Sequence, residues 1–230
     1  MNNVAIITAR GGSKRIPRKN IREFCGQPII KYSIDAALDS GMFDEVMVST
    51  DDTEIAEYAV SCGASVPFMR SKSTANDFAT TNDVLLEVIN RYITYGKRFD
   101  KFCCIYPTAP FITSEKIREA MELADKENVG SVIPVVRFSF PPQRGVFIRN
   151  GYIEAAQPEC YQMRSQDLEP MYHDCGLFYC AKTESFLNEK KLVMKTSVSF
   201  VLPEEMVQDI DTLDDWKIAE MKYIILRKRG

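Results

Sequence analysis

The stretch VAIITARGGSKRIPRKN, residues 4–20, decides the fold. Residues 4–9 form an apolar run of the length typical of a buried strand. Arg10, Gly11 and Gly12 follow at once, so the predicted strand leads directly into a glycine-containing, cationic loop. In an open α/β sheet such a loop lies at the carboxyl edge of the strands, where ligands bind. The stretch therefore predicts both an α/β sheet and a ligand site at its edge.

Apolar runs alternate with amphipathic stretches through the first half of the chain. The predicted strands span residues 4–9, 45–49, 65–69, 102–106 and 131–136. The predicted helices span residues 29–38, 53–62, 82–95 and 114–126. Two later runs, 176–180 and 198–202, return to the sheet, and residues 213–227 form a closing helix. This alternation predicts a Rossmann-like, three-layer αβα fold around a mainly parallel sheet.

The alternation stops between residues 137 and 170, a segment called the arm below. Pro141-Pro142 interrupts it, and Asn150-Gly151, a strong signal for a two-residue hairpin turn, separates two short apolar runs. We interpret the arm as a β insertion within one domain that spans residues 1–230.

Composition excludes several classes of protein. The 230 residues are 45% hydrophobic and 27% charged with a net charge of -3, which fits a globular chain and argues against a dedicated nucleic-acid binder. The seven cysteines include no C-x-x-C pair, so a disulfide framework or a zinc site is not expected. The N-terminus lacks the order of a signal peptide, and no apolar run approaches membrane-spanning length. We therefore expect a cytoplasmic protein without a membrane partner.

The charges are segregated along the chain. Six basic residues lie between Arg10 and Arg22, and six acidic residues lie between Glu204 and Asp215. The net charge conceals this asymmetry, and the two clusters are the main candidates for a binding site.

The basic loop has the chemistry of a phosphate site. Gly11 and Gly12 permit unusual dihedrals and close approach to a ligand, and consecutive amides there can bind an anion. Arg10, Lys14 and Lys19 add charge that suits a triphosphate. Neither a Walker A motif nor G-x-G-x-x-G is present. A solvated basic loop is the alternative, and the position directly after the first strand favours phosphate binding.

Asp209 and Asp211 lie two residues apart, a spacing that places both carboxylates on one face of an extended segment. Hard oxygen ligands of this kind suit Mg²⁺ together with substrate phosphates. The alternative is an acidic helix start, because Asp211-Thr212 and Asp214-Asp215 also suit an N-cap and a first turn. Spacing alone leaves both possibilities open.

Together these segments resemble the CMP-sialic acid synthetases, cytidylyltransferases that activate nine-carbon acidic sugars with CTP. The similar motifs are residues 9–20, 48–51, Arg70, 106–110 and 208–212. Residues 164–168 and 172–174 are most similar to the pseudaminic acid cytidylyltransferase branch.

The resemblance implies a nucleotide-diphospho-sugar transferase-like fold, CTP as co-substrate and Mg²⁺ as cofactor. It implies nucleotide-binding roles for Ala9, Arg10, Gly11, Gly12, Ser13, Lys14, Lys19, Asn20, Arg70, Thr80 and Thr81. It implies sugar-binding roles for Tyr106, Thr108, Arg164, Gln166, His173 and Asp174, with Arg164 as the partner of the sugar carboxylate. Asp209 and Asp211 align with the metal ligands, and Arg10, Lys19 and Asp211 are the residues expected to act in catalysis. The arm resembles a dimerisation region, so a homodimer is expected.

Several alternatives remain open at this stage. Tyr106 stands where sialic acid synthetases usually carry Gln, so pseudaminate, legionaminate and N-acetylneuraminate compete as substrates. Thr80-Thr81 also suits a helix cap, and a lone histidine such as His173 is more often structural than catalytic. A nucleotide-binding module that regulates a partner without turnover is the alternative from another functional class.

Overall fold

A computed structural model describes residues 2–228. The strands are β1 Asn3–Thr8, β2 Glu23–Phe24, β3 Gln27–Pro28, β4 Glu45–Ser49, β5 Lys101–Ile105, β6 Ser131–Arg137, β7 Val146–Arg149, β8 Tyr152–Ala155, β9 Tyr172–Asp174, β10 Phe178–Lys182 and β11 Ser197–Val201. The helices are α1 Ile29–Ser40, α2 Thr53–Ser61, α3 Thr81–Thr94, α4 Ser114–Ala124, α5 Pro158–Tyr161, α6 Thr183–Glu189 and α7 Leu213–Arg227.

The central sheet has the strand order β11-β6-β10-β5-β1-β4, and β9 pairs with β6. Strand β1 is parallel to both β4 and β5, and β11 is parallel to β6. Strand β10 is antiparallel to both of its neighbours, β5 and β6. The five other strands in this order therefore run in one direction, which confirms the predicted mainly parallel sheet.

Helices cover both faces of the sheet because successive residues of β1 point to opposite faces. Ala5 and Ile7 pack in a cluster with residues of α1 and α4. Val4 and Ile6 pack in a second cluster with residues of α3 and α6. The three-layer αβα architecture is confirmed, and it brings the loops that follow β1, β4 and β5 to one edge.

The predicted strand at residues 65–69 is wrong. Among the described residues, this segment pairs with β4 only through an isolated bridge between Ser65 and Met47. Pro67 lacks the N–H that a continued ladder requires, so pairing stops after one bridge. The chain nevertheless returns to the sheet edge at Arg70, whose N–H donates to the Thr50 carbonyl at 2.7 Å.

Local signals set the helix and turn boundaries. Asp52 caps α2 by accepting from the Ile55 N–H at 3.1 Å, and Thr113 caps α4 by accepting from Lys116 N–H at 3.3 Å. Asn150 and Gly151 both have positive φ, 52° and 84°, which is the backbone that a type I′ hairpin turn between β7 and β8 needs. The hairpin turn that the sequence predicts at Asn150-Gly151 is confirmed.

The hairpin in the arm is exposed on both faces. Ile148, Tyr152 and Ile153 expose 77%, 80% and 70% of their surfaces. An apolar surface of this kind marks an interaction site more often than a free surface. Within residues 2–228, no helix combines the length and the apolar character needed to cross a bilayer.

Candidate active site

A cavity of about 300 Å³ lies at the carboxyl edge of the sheet and is called the first cavity. The basic loop, the segment between β4 and α3, and the residues that follow β5 form its walls. The predicted site residues that line it are Arg10, Ser13, Lys14, Lys19, Asn20, Arg70, Thr80, Thr81, Tyr106, Thr108 and Asp211. The structure thus brings most of the predicted nucleotide-binding set together.

Two loop cations share one carboxylate. Arg10 Nη1 lies 2.8 Å from Asp77 Oδ1, and Lys14 Nζ forms an ion pair with the same side chain. Hydrogen bonding to Lys14, followed by the charges of both cations, lowers the pKa of Asp77. Asp77 could not be predicted from the sequence, because it lies 67 residues from Arg10 in a polar segment without a recognisable motif.

The other two cations meet the acidic segment near the C-terminus. Arg15 Nη2 lies 2.7 Å from Asp211 Oδ1, and Lys19 Nζ lies 3.7 Å from the same oxygen. Lys19 also donates to the Ile210 carbonyl at 2.7 Å. Burial lowers the pKa of Lys19, although the nearby Asp211 and Asp209 act in the opposite direction. The two charge clusters that the sequence separates by about 190 residues therefore lie against each other.

Residue 11 must be glycine because there is no room for a side chain, and not because of its backbone conformation. Neither Gly11 nor Gly12 has a positive φ, so the unusual dihedrals expected from the sequence are not found. A Cβ on Gly11 would lie 2.8 Å from the Asp52 Cβ, whereas a Cβ on Gly12 would have no neighbour within 4 Å. The Gly11 N–H donates to Asp51 Oδ1 at 2.9 Å. Close approach of the loop to the start of α2 is thus the physical role of Gly11.

Buried polar groups fix the loop to the sheet. Ala9 is fully buried and its N–H donates to the Ser49 carbonyl at 3.0 Å, while Asn20 Nδ2 donates to the Arg10 carbonyl at 2.8 Å. Arg70 donates to Ser49 Oγ at 3.1 Å and to the Ser49 carbonyl at 2.6 Å. Burial lowers the pKa of Arg70 to about 10. Arg70 therefore supports the cavity wall with part of its five-donor guanidinium.

Thr80 and Thr81 have different partners. Thr80 caps α3, accepting from the Asp83 N–H, and Asp83 accepts in return from the Thr80 N–H. This capping box is the alternative that the sequence left open for Thr80. Thr81 Oγ1 lies 2.8 Å from the Tyr106 hydroxyl oxygen, so the start of α3 is tied to the end of β5.

A second cavity, of about 560 Å³, adjoins the first, and Tyr106 lines both. His173, Asp174 and Asp209 line the second cavity. Tyr179 donates to Asp174 Oδ1 at 2.8 Å, and the Gly176 N–H donates to the same oxygen at 2.7 Å. Two hydrogen bonds thus hold Asp174 in the wall of the second cavity.

His173 has local partners. Its Nδ1 lies 2.9 Å from the Asp174 carbonyl oxygen, and its ring centroid lies 4.7 Å from that of Phe138. The structure places it at the wall of the second cavity, with an exposed edge.

Asp209 and Asp211 face the junction of the two cavities. Asp211 lines the first cavity and Asp209 lines the second. Burial, followed by the negative charge of Asp211, raises the pKa of Asp209. Two repelling carboxylates with hard oxygens, one of them already beside two cations, fit a divalent cation chemically. No group of three or more His, Cys, Asp or Glu side chains positioned for a metal is found in residues 2–228, so phosphate oxygens would have to complete the coordination.

Neither Arg164 nor Gln166 lines either of the two cavities. The Arg164 side chain is 78% exposed, and its nearest acidic partner is Asp167 at 4.0 Å. Gln166 lines a neighbouring hollow of about 550 Å³. The structure of one chain therefore does not bring these two predicted residues to the other predicted site residues.

Comparisons with known proteins agree with this geometry. A family model described as Cytidylyltransferase matches residues 4–145. The pseudaminic acid cytidylyltransferase of Campylobacter jejuni subsp. jejuni serotype O:2 is 40% identical over 224 residues, which is 97% of this chain and 97% of that protein. The CMP-N,N'-diacetyllegionaminic acid synthase of Legionella pneumophila is 34% identical, over 96% of this chain and 95% of that protein.

A solved structure of a CMP:2-keto-3-deoxy-manno-octonic acid synthetase complexed with CTP superposes with a TM-score of 0.72. It covers 99% of this chain and 100% of its own, at 18% identity. At that identity the likeness concerns the fold alone.

Proposed function

This chain belongs to the cytidylyltransferase family, and from that premise we propose that it transfers CMP from CTP to the anomeric hydroxyl of a nine-carbon acidic sugar, with pseudaminic acid favoured. One observation carries the proposal. The cations of the basic loop and Asp211 line the first cavity, and Tyr106 lines both this cavity and the second cavity beside it. The first cavity suits a nucleoside triphosphate, and the second has room for an acceptor sugar.

The reaction needs positioning and charge neutralisation more than a covalent nucleophile. The anomeric oxygen of the sugar forms a bond to the α-phosphorus, the bond from that phosphorus to the pyrophosphate oxygen breaks, and the hydroxyl proton is lost. Arg10, Lys14 and Lys19, with the amide of Gly12, hold the phosphates in this proposal. The amides of Gly11 and Ser13 donate to Asp51 and to the Gly11 carbonyl, and they would exchange these partners to join them. The phosphates would exchange with Asp77 and Asp211 as partners of these cations.

Asp209 and Asp211 would hold Mg²⁺ together with the phosphates. When bound, the ion neutralises charge that develops on the phosphate oxygens and aligns the triphosphate for in-line attack. The closeness of the two carboxylates supports this assignment, because the negative charge of Asp211 adds to burial in raising the pKa of Asp209.

The remaining predicted residues divide between the cavities. Arg70, Thr80 and Thr81 would contact the cytidine end of CTP in the first cavity. Tyr106 and Thr108 would meet the sugar at the junction, and His173 and Asp174 would meet it in the second cavity.

Pseudaminate is favoured over other nine-carbon acids. The 40% identity to a pseudaminic acid cytidylyltransferase exceeds the 34% identity to the legionaminate enzyme. Tyr106 in place of the Gln usual in sialic acid synthetases also argues against N-acetylneuraminate. CMP-legionaminate and CMP-N-acetylneuraminate synthesis remain the alternatives.

The arm is proposed to join two copies of the chain. Its exposed hairpin offers an apolar surface, and Arg164, which lines neither cavity of its own chain, would meet a sugar site if a second copy brought it there. We expect a dimer in size-exclusion chromatography with light scattering at micromolar concentration, and a monomer for the Ile148→Asp variant. A wild-type monomer under these conditions would contradict this part of the proposal.

The proposed reaction takes place in the cytoplasm, where CTP is available. All seven cysteines are free, as in a reducing compartment.

The decisive experiment is a pyrophosphate-release assay with CTP, Mg²⁺ and a panel of pseudaminate, legionaminate and N-acetylneuraminate. We expect the highest kcat/KM with pseudaminate and a CMP-sugar product. No release with any acidic sugar, despite measurable CTP binding, would favour a non-catalytic nucleotide-binding module.

A further inference from the structure

An irregular segment forms one wall of the first cavity. Residues 71–80, called the wall segment below, consist of turns and bends between Arg70 and the start of α3. Five of them line the cavity: Thr74, Asn76, Asp77, Ala79 and Thr80. Turns and bends lack the repeating hydrogen bonds that fix a helix or a strand, so the shape of this wall depends on its contacts with other segments.

Within the described residues, two sets of polar contacts hold residues 71–77 to other segments. In the first set, Arg10 donates to the Asn76 carbonyl at 3.0 Å and to Asp77 Oδ1 at 2.8 Å. Lys14 forms an ion pair with the same carboxylate. Under the proposed function the phosphates of CTP take over both cations from Asp77, so this set is weakened at the moment when the nucleotide binds.

The second set centres on Glu87, in the second turn of α3. Its carboxylate accepts from the Ser71 N–H at 2.9 Å and from the Ser71 hydroxyl at 2.7 Å, and the Thr74 hydroxyl also donates to it. The Glu87 side chain is only 15% exposed, and Arg91 Nη1 lies 3.5 Å from it. Burial acts to raise the pKa of Glu87, but the hydrogen bonds from Thr74 and Ser71 lower it overall. The carboxylate is therefore ionised at neutral pH, and an ionised acceptor makes the stronger kind of hydrogen bond.

The contacts of Glu87 do not involve the cations that the phosphates would occupy, so they persist when Asp77 is displaced. We propose that Glu87 is a positioning residue for the nucleotide, because it holds the start of the wall segment, with Thr74, against α3 while CTP replaces Asp77. The inference rests on the proposed function. It adds a residue that acts through Ser71 and Thr74 and that is not among the described residues lining the first cavity.

The test measures the Kd for CTP by isothermal titration calorimetry and the two KM values by steady-state kinetics with the best acidic sugar of the panel. We expect Glu87→Ala to raise the Kd and the KM for CTP by about 10- to 100-fold, the range of a hydrogen bond to a charged group. The KM for the sugar should stay that of the wild type, because the sugar is proposed to bind beyond Tyr106, in the second cavity. A general loss of structure would change both constants.

Two further variants separate the hydrogen bonds of Glu87 from its presence in α3. Glu87→Gln should bind CTP more nearly as the wild type does, since the amide keeps one acceptor oxygen and can donate to a hydroxyl group that has turned to accept. Ser71→Ala removes one of the donors and leaves Glu87 in place, so it tests the same contact even if Glu87→Ala destabilises the fold. Its effect on the Kd should be less than additive with that of Glu87→Ala, because the two residues share the contact.

Glu57→Ala is the matched control, because it removes an exposed carboxylate from α2, and it should leave the Kd for CTP unchanged. An unchanged Kd in Glu87→Ala, an equal rise in the KM for the sugar, or full additivity with Ser71→Ala would overturn the inference while the proposed function stands. A wild type that binds CTP but turns over no acidic sugar would overturn the proposed function alone, and the Kd values would still decide the inference. A wild type that does not bind CTP would overturn both.

Discussion

The two cavities that share Tyr106 are electrically opposite. In the first, each of the four basic-loop cations that line the cavity has a carboxylate partner, with Arg10 and Lys14 on Asp77 and Arg15 and Lys19 on Asp211. In the second, the three carboxylates of Asp174, Glu204 and Asp209 outnumber the two cations, Arg137 and Lys222. The first cavity holds internal anions that a triphosphate can replace, whereas the second carries an excess of carboxylates over cations.

The strongest test of this contrast removes the carboxylate that neutralises two loop cations. We expect Asp211→Ala to lower kcat for Mg²⁺-dependent pyrophosphate release by about 100- to 1000-fold, the range for loss of one group that stabilises developing charge. Asp214→Ala is the control, because that side chain is 86% exposed and pairs only with Lys217, at 3.1 Å. Turnover of Asp211→Ala like that of the wild type would contradict the metal assignment.

A second test changes the backbone that carries the loop cations. A methyl group on Gly11 collides with Asp52, so Gly11→Ala should raise the KM for CTP by about 10-fold and lower the free energy of unfolding by about 1–3 kcal/mol, as overpacking does. Gly12→Ala, where a methyl group meets open space, should behave like the wild type. The measurements are steady-state kinetics and urea unfolding. Equal effects of the two substitutions would show that close approach is not the role of Gly11.

The wall between the cavities can be tested through one hydroxyl group. Tyr106→Phe removes the 2.8 Å hydrogen bond to Thr81, and we expect KM to rise about 2- to 10-fold for both CTP and sugar. Tyr179→Phe, whose ring lines only the second cavity, should raise the KM for the sugar alone. If Tyr106→Phe changed only one of the two constants, the two cavities would be independent.

The smallest expected effect concerns Arg15, which competes with a metal for Asp211. Its ion pair is largely exposed, and such pairs contribute about 0.2–1 kcal/mol. Arg15→Ala should therefore lower the Mg²⁺ concentration that gives half-maximal activity by about 2- to 5-fold. Mn²⁺ binding followed by electron paramagnetic resonance gives a readout independent of turnover. Arg18→Ala, which removes a cation bound to Asp52 and Glu54, should leave the affinity for Mg²⁺ and Mn²⁺ unchanged. A higher Mg²⁺ requirement in Arg15→Ala would indicate that Arg15 binds phosphate instead.

Most of the fold could be predicted from the sequence because local signals agree with the sheet. Helix α7 begins and ends at the predicted residues, and the Asn150-Gly151 turn forms where its backbone preference places it. The predicted strand at residues 65–69 is wrong because Pro67 interrupts the apolar run and cannot donate to a ladder. Short elements such as α6 and β9 were not predicted, since their sequences carry little periodicity.

The site was predictable where it depends on chain order and unpredictable where it depends on tertiary contact. The place of the basic loop after β1 follows from the fold, and the resemblance supplied Asp211. The partners Asp77 and Asp52 are set by how the loop lies against other segments, which no local pattern shows. The position of Arg164, which lines neither cavity, likewise depends on the path of the arm.

The reversed strand β10 has a consequence for synthesis of the chain. It fills the centre of the sheet between β5 and β6, yet its residues, 178–182, emerge from the ribosome long after both neighbours. Until then β5 and β6 have no shared partner, and each exposes a strand edge that can pair with other chains. Residues 4–145, the part that matches the family model, lack this strand and cannot close the sheet. The central sheet is therefore completed late in synthesis, when β10 pairs with two strands that lie far before it in the chain.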